Sequence, residues 1–112
     1  MGLYLTRAKY TNEAFKGMLS NPHDRGAAAT VLFESAGMKL SSIHFSPSMG
    51  EVVCMVEGDA MKAAAIDIVV MGSGMFSSVK AMELIDMESL HGAMKHAGEL
   101  ARKYATTHKA PG

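Results

Sequence analysis

Five apolar residues in a row, Val52 to Val56, constrain this chain more than any other stretch. They follow Ser46-Pro47-Ser48-Met49-Gly50 and a lone acid, Glu51. The run is too short for a typical helix and is bounded by turn residues, so it reads as a strand. A strand with one face on helices and the other in water alternates apolar and polar residues, and this one does not. Each large apolar side chain left in water forgoes about 1.5–3 kcal/mol. Two or three of them would be a serious loss against a total stability of about 5–15 kcal/mol, and they would form an adhesive patch. Both faces therefore need cover. Either the last helix folds back over the sheet, or a second copy packs sheet against sheet about a two-fold axis. The expectation is a homodimer, with higher assemblies open, and Glu51 sits at the rim of the covered region.

Around this strand the order of elements is legible. "LYLTRAKY", residues 3–10, is a strand by its aromatic and β-forming content. Thr11 or Asn12 caps a short helix over "TNEAFKGML". A second helix begins near Asn21, read as its N-cap, with Pro22 at the first helical position. It runs to about Ser35 with Ala27, Ala28, Val31 and Leu32 on one side, and Gly37 stops it. In "MKLSSIHFS" the alternation slips. This predicts either a bulge at Ser41–Ser42 or partial cover of both faces. Asp59 caps "AMKAAAIDIVVM", which is apolar nearly all round apart from Lys62 and Asp67 and so is expected to be largely buried. "GSG" at 72–74 ends it. "FSSVKAMELI" is the fourth strand. From Asp86 on, Met87, Leu90, Met94, Ala97, Ala101 and Tyr104 form one stripe of an amphipathic helix. The order β-α-β-β-α-β plus a helix gives an α+β, ferredoxin-like domain. It has a four-stranded antiparallel sheet with helices on one face, and the first and third strands lie in the middle. Residues 1–105 form the single domain and 106–112 a flexible tail.

The 112 residues suit one domain. Eleven basic and eleven acidic side chains cancel, so no positive field favours a nucleic-acid partner. No leader is expected, and no stretch reaches the ~18 apolar residues of a membrane helix. Cys54 is the single cysteine, which excludes an intrachain disulfide and suits the cytoplasm. In mid-strand it reads as a buried, inert thiol. His91 and His96 lie about 140° apart around their helix and cannot share a metal. With no cysteine–histidine cluster, no metal and no cofactor are expected. The chain has eleven methionines and no tryptophan, a composition suited to irregular cores and adaptable apolar cavities.

In order and spacing, "YLTRAKYTNEAFKGM", "NPHDRGAAATVLFESAGMKLSSIHF" and "AAAIDIVVMGSGMFSSVKAMELIDMESLHGAMKHAG" resemble the GYD domain family of small bacterial and archaeal proteins. The resemblance covers nearly the whole chain. It implies a ferredoxin-like domain that pairs into a dimeric α/β barrel. It carries no particular reaction, since related dimeric barrels include oxygenases, isomerases and ligand-sensing domains. The family's Gly-Tyr-Asp motif, often with a residue after the glycine, is degenerate here. Matched without gaps, Ser48 stands for the glycine, Met49 for the insert, Gly50 for the tyrosine and Glu51 for the aspartate. Alternatively Gly50 is the glycine and the rest is deleted. If that tyrosine serves a ligand site, the site here is lost or rebuilt.

Glu51 at an apolar edge, and His44 across the hairpin from it, are the candidate acid–base groups. Tyr4, Tyr10, Arg25 and Met55 are the candidate ligand-binding residues, with Arg25 suited to a carboxylate. The expected function is a homodimeric small-molecule-binding domain with an apolar pocket in or beside the barrel. One alternative is a cofactor-independent enzyme of isomerase or oxygenase type, acting on a small organic substrate through Glu51 or His44. Another is a purely structural oligomerisation module.

Overall fold

A computed structural model describes residues 2–107. The elements are β1 (Gly2–Tyr10), α1 (Asn12–Ser20), α2 (Arg25–Ser35), β2 (Lys39–Ser46), β3 (Glu51–Gly58), α3 (Ala60–Gly72), β4 (Phe76–Leu84) and α4 (Met87–Thr107). The sheet is antiparallel in the order β2-β3-β1-β4, with β1 and β3 central. This is the ferredoxin-like α+β arrangement expected from the sequence. Helix α4 extends two residues into the expected tail, and residues 108–112 lie outside the described residues.

Side-chain caps set the helix starts. Thr11 Oγ1 accepts from the Ala14 amide at 3.1 Å, Asp24 Oδ1 from Ala27 at 3.1 Å and Asp59 Oδ1 from Lys62 at 2.9 Å. The cap of α2 is therefore Asp24, and the expectation of Asn21 is corrected. Asn21 instead closes α1, its amide donating to the Gly17 carbonyl at 2.9 Å. The chain must turn through Pro22 and His23 before it can restart. Gly37 ends the segment after α2 with a φ of 78°, a left-handed conformation that glycine adopts without strain.

The register of β2 against β3 shifts between Leu40 and Ser42. The slip in alternation is thus a bulge, and it brings Leu40, Ile43 and Phe45 to one side, opposite Val56, Cys54 and Val52. That side carries the core: Phe33, Met38, Cys54, Val56 and Ile66 are buried together. Helix α2 turns Ala29, Leu32, Phe33 and Ala36 inward. This corrects the expected face, since Val31 is 65% exposed. Helix α3 buries Ile66 and packs Ala63 and Val70 against the core. Its opposite side exposes Met61, Ile68, Val69 and Met71, so the expectation of a largely buried helix is also corrected. When a helix is apolar all round, its sequence does not say which side meets the sheet.

The other side of the sheet carries Leu3 and Leu5 from β1, Val53 and Met55 from β3, and Met82 and Leu84 from β4. Met55, Leu5 and Met82 lie in one row across three strands. This apolar face is only half-buried, and Met82 is 50% exposed. Helix α4 does not fold back over it: apart from Leu90 and Gly98, which are partly covered, its described side chains are exposed. The molecule extends 69 × 29 × 24 Å, with a radius of gyration of 19.4 Å. A compact chain of this length would have about 13 Å, and a 21-residue helix is about 31 Å long.

Asp86 precedes α4, and its Oδ1 accepts from the Ser89 amide at 2.6 Å. That backbone bond, followed by one from the Ser89 hydroxyl, holds the Asp86 carboxyl below its usual 3.8. A depressed carboxylate stabilises the folded helix end above its unfolded pKa, and the contribution disappears as pH falls through the lower folded value. We expect the Ser89 amide resonance to titrate with a midpoint below 3.8 and the first turn of α4 to fray only beneath it. A midpoint at or above that value would refute the cap.

Candidate functional site

The aromatic residue Tyr10 ends β1 and is buried. Its ring stacks on Phe76 at 4.7 Å, meets Phe15 edge-on at 5.6 Å and lies 6.2 Å from Phe45. The Arg25 guanidinium sits over the same ring, 5.8 Å from its centroid, close enough for cation–π attraction. Two hollows share Tyr10, Arg25, Ile43 and Val52 as walls. One, of about 110 Å³, lies between the sheet and helices α2 and α3. Its walls include Ala8, Ala29, Leu32, Ile66, Val70 and Val79. The adjoining hollow, of about 330 Å³, reaches toward α1 through Phe15, Met18 and Phe45.

Two charged residues border the inner cavity, Arg25 and Asp67. Arg25 is the first residue of α2. Its Nη1 donates to His23 Nε2 at 3.2 Å, and its Nη2 points at Met75 Sδ at 3.6 Å. His23 Nδ1 lies 2.8 Å from the Asn21 carbonyl. A carbonyl only accepts, so Nδ1 carries the proton and Nε2 is left to accept from Arg25. No carboxylate pairs with Arg25 among the described residues, and its Nε is buried without a hydrogen-bond partner. Asp67 projects from the inward side of α3 beside Ile66 and Val70, and burial pushes its carboxyl above 3.8. Among the described residues it has neither a hydrogen bond nor an ion pair.

The sequence candidates divide between the two sides of the sheet. Tyr10 and Arg25 meet at the cavity. Tyr4 packs on the same side but borders neither hollow. Met55 lies on the open face, one neighbour of Leu5. Glu51 is buried, and its Oε1 accepts from Arg7 Nε at 3.1 Å and Nη2 at 2.8 Å. The acid at the entrance of β3 is thus half of an ion pair bordering the apolar row. His44 is exposed, borders the larger hollow and makes no hydrogen bond to Glu51. Cys54 is buried, and desolvation pushes its thiol up to about 11, which makes it a poor nucleophile. Among the described residues no group of three His, Cys, Asp or Glu is placed to hold a metal. Likewise, no helix is long and apolar enough to cross a membrane.

Asp67 was not singled out from the sequence as a site residue, although it interrupts an apolar helix and that interruption is visible. The clustering of Phe15, Phe45 and Phe76 on Tyr10 has no local sequence signal, because the four come from four different elements. Gly50 has a φ of 66°, accepts from the Tyr10 amide and lies beside the Phe15 ring. A tyrosine would be strained in that conformation. The backbone therefore suits the alignment in which Gly50 is itself the glycine and the tyrosine is missing.

The sequence matches the GYD domain family over residues 4–94. Among solved structures, the chain is similar to the C-terminal domain of the MgtC protein from Mycobacterium tuberculosis. That likeness has 11% identity and a TM-score of 0.56, covering 75% of this chain and 88% of that one. An uncharacterized NIPSNAP domain protein from Burkholderia xenovorans aligns at 12% identity and a TM-score of 0.44, over 77% of this chain and 94% of that one. At such identities likeness speaks for the fold alone. No curated protein matches the sequence.

Proposed function

Because this chain belongs to the GYD domain family, we propose that it acts as a homodimeric domain that binds a small, largely apolar molecule in the cavity between its sheet and helices α2 and α3. The observation that carries this reading is the cavity itself, walled by aliphatic and aromatic side chains and bordered by Tyr10 and Arg25. Apolar walls left facing a hollow of about 110 Å³ forgo contacts and burial that a ligand could supply. An apolar ligand recovers that loss, and apolar cavities of about 150 Å³ are known to take benzene. A binding role accounts for this geometry better than a catalytic one, because Glu51 is already held by Arg7 and His44 is not bonded to it. It calls for no cofactor, and the single buried thiol suits a cytoplasmic setting.

The dimer in this proposal joins two open faces across the Met55–Leu5–Met82 row, removing from water the half-buried side chains of β1, β3 and β4. Titrating the purified chain with 3-methylbutan-1-ol, a neutral four-carbon body on a short polar end, tests the cavity. Saturable shifts of the Ile43, Val52, Ile66 and Val79 methyl resonances are expected. Shifts that grow without saturating, or that fall on the open face instead, would refute it.

A further inference from the structure

The two unpaired charges of the cavity suggest what kind of molecule fits it. Arg25 brings a full positive charge to the wall, with a buried Nε that lacks an acceptor and no carboxylate alongside. Asp67, from α3, lines the same cavity with no donor and no cation among the described residues. They are too far apart to pair directly: no ion pair joins them within 4 Å among the described residues. A buried polar atom without a partner is costly, as the Arg25 Nε is, while the partly buried Asp67 carboxylate still lacks a cation that a ligand could supply. Neither residue is needed to close the core, which the aliphatic residues already do. A purely apolar ligand would leave both groups unsatisfied. A simple anion would meet Arg25 but face Asp67, and a simple amine would do the reverse.

Building on the binding role given above, we propose that the ligand is a small zwitterion, with a carboxylate against Arg25, an ammonium against Asp67 and a short aliphatic body in the inner cavity. The guanidinium fork suits a carboxylate, since Nε and a terminal nitrogen can donate together to its two oxygens. The guanidinium also lies over the Tyr10 ring, 5.8 Å from its centroid, which helps hold it at the cavity. A lone carboxylate oxygen suits the three-donor ammonium. The cavity volume, about 110 Å³, is below that of the apolar cavity of about 150 Å³ that takes benzene, so the aliphatic body must be small. An aliphatic α-amino acid of leucine size has this combination of groups.

The test is a matched series on the intact chain, read by calorimetry. It comprises leucine, 4-methylpentanoate (the same body without the ammonium), 3-methylbutylamine (without the carboxylate) and 3-methylbutan-1-ol (without charge). Leucine should bind at least about tenfold more tightly than each of the others, a gap of about 1.4 kcal/mol. Arg25→Gln should erase its advantage over the amine, and Asp67→Asn its advantage over the acid. If all four bind alike, or if the alcohol, the acid or the amine binds best, the zwitterion is refuted and the apolar cavity stands. If none binds, the cavity reading falls as well. The wild-type series decides these outcomes even if a variant fails to fold.

Discussion

Leu5→Glu is expected to convert a dimer into a monomer while leaving the protomer folded. Leu5 is the centre of the open face, paired with Met55 on one side and Met82 on the other. In a protomer its side chain faces outward, so a carboxylate there stays hydrated and far-ultraviolet circular dichroism should not change. In a two-fold dimer the same carboxylate would be buried in an apolar row and would appear twice. Removing each charge from water costs several kcal/mol, with nothing opposite to compensate. We expect the dissociation constant to rise at least 100-fold, about 2.7 kcal/mol, as measured by light scattering over a concentration series. Val31→Glu, on the solvent side of α2, should leave association unchanged. A Leu5→Glu protein that remains dimeric would place the interface elsewhere. A wild-type chain that stays monomeric at high concentration would remove the dimer altogether.

Phe33→Ala is expected to have the largest effect on folding. Phe33 is buried against Met38, Cys54, Val56 and Ile66 and also walls the inner cavity. Truncating a buried phenylalanine costs about 3–5 kcal/mol, from lost transfer energy and the void left behind. Here that void would add to a hollow already present, so little collapse can offset it. The thermal midpoint should fall by on the order of 15 °C or more. Two residues earlier, Val31 points to solvent, and Val31→Ala should change stability by no more than about 0.5 kcal/mol. Denaturant unfolding at a fixed protein concentration measures both, since association would otherwise make the midpoint concentration-dependent. If Val31→Ala proved the costlier of the two, helix α2 would face the other way.

That contrast marks a boundary of what sequence patterning can reveal. Helix α2 carries apolar residues on several sides, and α3 on nearly all. A periodicity with no clear polar side does not orient a helix, so the inward face of α2 differs from the expected one and α3 is less buried than expected. The bulge in β2 was different. There the parity of Met38 and Leu40 clashed with that of Ile43 and Phe45, and a period-2 pattern has only two states, so the slip could be located. Burial of Cys54 was also expected, and the register places it on the core side of β3, while its neighbours Val53 and Met55 face the open side.

By itself the sequence determined the order of elements, the central places of β1 and β3, the stops at Gly37 and at the 72–74 stretch, and the strand whose two faces are both apolar. These features rest on local spacing and capping, which act over a few residues, and on the handedness of crossovers, which is the same for nearly all such units. Only the tertiary structure decided that Glu51 meets Arg7, a partner 44 residues away, and that α4 leaves the sheet uncovered. It also brought Arg25 and Asp67 to one cavity without pairing them. Such meetings depend on how whole helices rotate and settle on the sheet, and the packing energies that set this rotation are summed over residues far apart in the chain.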